Sequence, residues 1–175
     1  MNDEIDGFLA DRLSGATEVW RAGLLKHVRA RALGDSVPVH LALSKKSWND
    51  LHLILVGSNP TKEEIANITK ESLSRIMSKI HTLVNLAETE LNYLYKHARA
   101  LIFPSLIEGF GWPPLEAQKF GCPVIASSAG SLKEILADSA ININPNSPND
   151  IAKEISRLLD DTNLEKEISI KGKRN

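Results

Sequence analysis

Cysteine is almost absent from this sequence. Of 175 residues only Cys122 carries a thiol, so no internal disulfide is possible and no Cys/His cluster has zinc spacing. A reducing compartment is the natural setting. Lying between Gly121 and Pro123 at the start of an apolar run, Cys122 reads as a small buried hydrophobe rather than a nucleophile. Aromatic residues are scarce, at 5%, and the net charge is −1. With neither a basic field nor stacking platforms, nucleic acid is not an expected partner. Long apolar runs are missing as well, and none approaches the ~18 residues a membrane span needs. The first residues, MNDEIDGFLADRL, are acidic and lack a signal-peptide pattern. The expectation is a soluble, cytoplasmic protein.

What is present is ordinary globular composition, 42% hydrophobic and 25% charged. The length is near that of one domain and sufficient to bury its own core. Residues 1–50 read as an atypical, mostly helical extension, with Leu9, Leu13, Val19, Leu24, Leu25, Val28 and Leu33 at loosely helical spacing. Its basic piece, LLKHVRARAL, is either a solvated helix face or a peripheral contact with an anionic membrane surface. VPVHLAL (37–43) is a candidate strand within that extension. LHLILVG (51–57) is a stronger one, the near-continuous apolar run of a strand covered on both faces.

From Leu51 onward strands and helices alternate. A helix is expected over 59–80, a strand over 81–86 and a helix over 89–100. Strand ALIFPS (100–105) stops at Pro104. A short helix, PPLEAQKFG, follows, with Pro114 in its first turn and Gly121 beyond its end. Then come strand 123–127, helix 130–138, strand 140–145, helix 147–161 opened by Ser147 and Pro148, and a helical tail that frays. This rhythm predicts βαβ units: a Rossmann-like parallel sheet with helices on both faces, over 51–164, and a tail over 165–175. Such sheets bind ligands beyond the carboxyl ends of their strands.

Two loops leave that edge. In SLIEGFGWPPLEA, Gly109 and Gly111 allow unusual dihedrals and a close backbone approach to a ligand. The next helix, starting near Pro113 or Pro114, would offer free N–H groups to an anion such as phosphate. Glu116 falls in its first turn and could grip paired sugar hydroxyls, with Glu108 across the turn. Glutamate in a first turn is also common for dipole reasons alone. In SSAGSLKE (127–134), Ser131 either caps a helix together with Glu134 or offers its hydroxyl and N–H to phosphate.

These residues together resemble the C-terminal half of a group 1 (family 4 type) glycosyltransferase of the GT-B architecture. The resemblance runs from about Leu51 to Leu164 and is strong from Glu90 to Leu159. It rests on the Glu-x7-Glu pattern, the F-P-S strand end, the G-x-P-V-I strand and the Ser/Gly turn. It implies a donor-binding domain that transfers a hexosyl group from a nucleotide-diphosphate sugar to a hydroxyl on a glycan, lipid or small-molecule acceptor. Retention of configuration is implied, with no metal and no separate cofactor. Glu108 is then the catalytic or positioning carboxylate beside the transferred sugar. Gly109, Phe110 and Gly111 meet sugar and phosphate, Glu116 bonds the ribose, and Pro114 and Leu115 open the helix. Ser131 belongs to the donor site, and Val84, Asn85 and Leu86 lie where the family contacts the nucleobase.

The sequence departs from the family in two ways. It has no room for the acceptor-binding N-terminal domain, and the basic Gly/Arg turn and Lys-Asn pair that clasp the diphosphate have no match. Lys45 and Lys46 are the nearest candidates. The expectation is therefore a domain incomplete by itself, needing a partner chain to supply the acceptor side, or else a non-catalytic subunit that completes or regulates another glycosyltransferase.

Overall fold

The apolar runs do become strands, and their order places the loops. The computed structural model describes residues 39–43, 51–56, 80–83 and 85–175. The helices expected over 1–35 and 59–79, the basic piece near Arg29, Lys45 and Lys46 lie outside these residues, while Ile80, expected to end the second helix, instead begins β3. Strands β1 (Val39–Leu43), β2 (Leu51–Val56) and β3 (Ile80–Leu83) precede helix α1 (Glu88–His97). Then follow β4 (Ala98–Phe103), α2 (Trp112–Lys119), β5 (Val124–Ser127), α3 (Leu132–Leu136), β6 (Ile141–Ile143), α4 (Pro148–Asp160) and α5 (Thr162–Arg174).

The six strands form one sheet in the order β3-β2-β1-β4-β5-β6, that of a doubly wound fold. Pairs β2–β3, β4–β5 and β5–β6 are parallel. Strand β1 runs antiparallel to both β2 and β4. Hence the five strands within 51–164 all point the same way, as expected of a parallel sheet, and the one reversed strand, β1, comes from the segment before them. The reason for the reversal is chain length. Only residues 44–50 separate β1 from β2, and a parallel neighbour would need a crossover of about a dozen residues or more.

Alternation along the strands builds two cores. On one face Ala100 and Ile102 of β4, Ile125 of β5 and Ile141 and Ile143 of β6 meet Ile151, Ile155 and Leu158 of α4 and Ile168 of α5. On the other, Leu101, Phe103, Val124 and Ala126 meet Tyr95 of α1, Ala117 of α2 and Leu132 and Leu136 of α3. Period-two side chains from the same strands thus serve helices on both faces. Helix α5 also reaches α2: a Cβ on Gly172 would lie 2.8 Å from Gln118 Cγ. The Asn175 amide donates to Gln118 Oε1 at 3.0 Å.

Several boundaries shift from the sequence expectation. Helix α1 stops at His97, and Ala98 is already extended (φ −68°, ψ 145°). Residues 98–100, expected to be helical, instead begin β4, because pairing with β1 and burial of Ala98 and Ala100 outweigh their helix propensity. Helix α3 is shorter than 130–138. Helix α5 stays helical to Arg174 rather than fraying, its start capped by Asp161, whose carboxylate accepts from Asn163 and Leu164 N–H. Ser147 caps α4 as expected, accepting from Asp150 N–H at 3.2 Å.

Candidate functional site

The loop after β4 is the centre of the site. Pro104 and Ser105 continue the strand's burial, and two hydroxyls shape the turn that follows. Ser105 Oγ donates to the Ile107 carbonyl at 2.8 Å, and Ser127 Oγ, at the end of β5, donates to the Ser105 carbonyl. Both polar groups are buried and satisfied, which holds the loop at the carboxyl edge of the sheet.

Of the two loop glycines, only Gly111 requires glycine for conformation. It sits at φ +90° as the residue before α2, and a Cβ there would lie 2.4 Å from Leu132 Cδ2. Gly109 has no such φ, and a Cβ on it would meet nothing within 4 Å. Its place is open space rather than a tight turn. Phe110 and Trp112 are exposed by 45% and 64%, with ring centroids 4.7 Å apart, and Ile107 is exposed by 87%. No periodicity in the sequence reports the exposure of Trp112 and Ile107.

Helix α2 begins at Trp112, earlier than expected, so Glu116 falls beyond its first turn. The helix dipole therefore favours the Glu116 carboxylate less than it would a first-turn acid. Prolines 113 and 114 also remove two of the N–H groups that a helix start leaves free, so any anion would find those of Gly111 and Trp112 instead.

Glu116 has a different support. Its Oε2 accepts from the Tyr95 hydroxyl at 3.3 Å. Tyr95 is 1% exposed within the α1–α2 core. Burial first, and the Glu116 charge second, push its ionisation well above the ordinary range, so the phenol stays a donor. The helical pattern marks Tyr95 as core but carries no sign of this partner 21 residues away.

The second loop closes onto the first. Gly130 has φ +56°, and a Cβ there would lie 2.6 Å from the Glu108 carbonyl oxygen. The Ser131 hydroxyl donates to the Gly109 carbonyl at 2.9 Å, with Glu108 O at 3.5 Å. Of the two roles open to Ser131, the capping pair with Glu134 does not form: Ser131 is itself αR and its side chain makes no cap bond. Its hydroxyl braces the Glu108–Gly109 turn. Glu108, Gly109, Gly130 and Ser131 are therefore brought together, while Glu116 is held separately by Tyr95.

At β3 the carboxyl end lies on the same edge. Asn85 adopts φ +55° and is exposed, a conformation asparagine tolerates well. Leu86 packs against the Ile54, Leu83 and Leu94 cluster, so its side chain supports the sheet. Val84 lies outside the described residues. Among the described residues no group of three or more His, Cys, Asp or Glu is placed to hold a metal ion. No described helix is long and apolar enough to cross a membrane.

Residues 39–175 match the family described as "Glycosyl transferases group 1". The sequence is 32% identical to the O-antigen chain mannosyltransferase RfbU of Salmonella typhimurium, over 65% of this chain and 33% of that protein. It is 30% identical to the MMP alpha-(1->4)-mannosyltransferase of Mycolicibacterium hassiacum, over 81% of this chain and 34% of the relative. It thus spans about a third of the length of these relatives. Among solved structures, the C-terminal domain of the glycosyl transferase group 1 protein LpcC from Francisella tularensis superposes with a TM-score of 0.62 at 21% identity. That match covers 91% of this chain and 80% of the other. At that identity it speaks for the fold.

Proposed function

The chain belongs to the group 1 glycosyl transferases, and from that premise we propose that residues 51–164 bind a nucleoside-diphosphate sugar for transfer of its hexosyl group to a hydroxyl acceptor. The sugar proposed first is mannose, after the two mannosyltransferase relatives. The observation that carries this reading is the joined pair of loops at the carboxyl edge, Ser131 tied to Gly109 beside Glu108.

In this reading the diphosphate and sugar lie along Gly109–Gly111, where the open space at Gly109 admits close approach and the backbone N–H groups face the oxygens. Glu108 sits at the sugar end, as a fixed negative charge that supports positive charge developing at the anomeric carbon. Glu116 takes the ribose hydroxyls at the other end. Asn85 is the described residue nearest in role to the nucleobase. Transfer with retention is the proposed outcome. The acceptor face, and the cations that balance the leaving diphosphate, come from outside the described residues or from a partner chain.

Calorimetric titration of the 175-residue chain with UDP, GDP and ADP, and with a mannosyl donor, tests this. Saturable binding of one nucleotide is expected, and Glu116→Ala should weaken it about tenfold, the scale of one lost charge-assisted contact. No binding at millimolar nucleotide would overturn the donor site, and an unchanged Glu116→Ala affinity would remove the ribose role.

A further inference from the structure

We propose that Tyr95 is a positioning residue for nucleotide recognition: its buried hydroxyl orients the Glu116 carboxylate so that the remaining lone pairs face the ribose. The inference rests on the assignment of Glu116 to the ribose and adds a residue that does not itself touch the ligand.

Three observations place Tyr95 in this role. Its ring is fixed, with 1% exposure, inside the apolar cluster formed by Leu101, Phe103, Ala117 and Cys122. The Phe120 ring lies nearly parallel to it, centroids 6.4 Å apart. A tyrosine so enclosed has little rotamer freedom, so its oxygen marks a nearly constant point at the surface of the core. That oxygen reaches Glu116 Oε2 at 3.3 Å, while Glu116 as a residue is exposed. The carboxylate thus has one oxygen on the buried phenol, on a residue that is otherwise open to solvent.

The chemistry follows from lone-pair counting. An ionised carboxylate offers about four acceptor sites. A single phenol O–H occupies one of them on Oε2 and leaves Oε1 free for a diol. An exposed glutamate without this contact would sample several rotamers, and ordering it would cost binding free energy. The 3.3 Å separation is long for an O–H···O bond, so Tyr95 steers Glu116 rather than locking it. A moderate effect is therefore expected. The burial that keeps the phenol protonated keeps it a donor across the neutral range.

The test is the preference for ribose over deoxyribose. UDP, GDP and ADP, each with its 2′-deoxy counterpart, are titrated calorimetrically into wild type, Tyr95→Phe, Glu116→Gln and the double variant. Tyr95→Phe keeps the ring and its packing and removes only the hydroxyl. Wild type is expected to prefer the ribonucleotide about tenfold, and Tyr95→Phe to reduce that preference about fivefold, the scale of a weak bond to a charged group. Glu116→Gln should lose the preference, and adding Tyr95→Phe to it should change nothing further. A residue that served packing alone would lower stability without moving the ratio. If wild type prefers ribose and Tyr95→Phe keeps the full ratio, the positioning role is overturned while the ribose assignment stands. If wild type shows no preference, or binds neither form, the ribose assignment fails and the role built on it fails with it.

Discussion

The Ser131 hydroxyl donates to the Gly109 carbonyl across 22 residues of sequence, joining the loops that leave β4 and β5. That bond makes one surface of two turns. It occupies the Ser131 proton, so Ser131 can meet a ligand only through its lone pairs or its N–H. Ser131→Ala should lower stability by ~1 kcal/mol, the net worth of one such bond. It should also weaken nucleotide-sugar binding severalfold by loosening the Glu108–Gly109 turn. Urea unfolding and calorimetry read the two effects. Loss of stability with unchanged affinity would show that the brace is structural only.

The glycines of the two loops should separate by function. Gly130→Ala sets a Cβ 2.6 Å from the Glu108 carbonyl oxygen at φ +56°. Backbone atoms cannot yield as a flexible side chain does, so a loss of ~1–3 kcal/mol is expected. Gly109→Ala meets nothing within 4 Å, so its unfolding midpoint should hold within the error of the measurement. If the diphosphate-sugar lies against this backbone, Gly109→Ala should still weaken donor binding. Equal destabilisation by the two variants would contradict this arrangement of the loops.

Alkaline pH should destabilise the fold through buried acids. Burial pushes the Cys122 thiol from its ordinary 9.0 up to about 12. Between those values the unfolded chain has lost the proton and the folded chain keeps it. Stability therefore falls as pH rises through that window and is level below it. Tyr95, raised chiefly by burial, acts in the same direction. Urea unfolding from pH 7 to 11 should show the decline, and Cys122→Ala should make it shallower. A level profile to pH 11 would refute the assignment. At pH 8 the native thiol should also react far more slowly with iodoacetamide than in urea.

The partly buried pair between Arg99 and Glu165, 2.5 Å apart, ties the start of β4 to α5. Arg99 Nε is buried without a hydrogen-bond partner, so this guanidinium depends on Glu165. Glu165→Ala is expected to cost more than Arg99→Met, which removes the stranded cation while keeping an apolar stem. The Glu165→Ala loss should be ~1–3 kcal/mol. Denaturant midpoints decide the order, and the reverse order would mean that Arg99 acts chiefly by packing.

Much of the architecture could be read before any coordinates. The apolar runs at 51–56, 100–103 and 124–127 and the proline and glycine stops around them report burial and chain reversal locally. Those are properties of neighbouring residues, so a one-dimensional pattern carries them. The Ser147 cap and the αL glycine at 121 were legible for the same reason. The boundary at Ala98 is not legible in the sequence, because alanine and arginine favour a helix, while the sheet pairing that overrides them is remote in sequence.

By itself the sequence determined the alternation of strands and helices, the Glu-x7-Glu loop at the strand's carboxyl end, and the family. Tertiary structure alone decided that β1 runs backward through the sheet. It alone decided that Gly111 and not Gly109 needs its glycine, and that Ser131 braces a loop instead of capping a helix. It also paired Glu116 with Tyr95. Each involves a contact between residues far apart in the chain: β1 beside β4, Gly111 against Leu132, Ser131 on Gly109 and Tyr95 on Glu116. Hydrophobic periodicity says which face of an element is buried, but the partner a polar group finds there is set only when two elements meet.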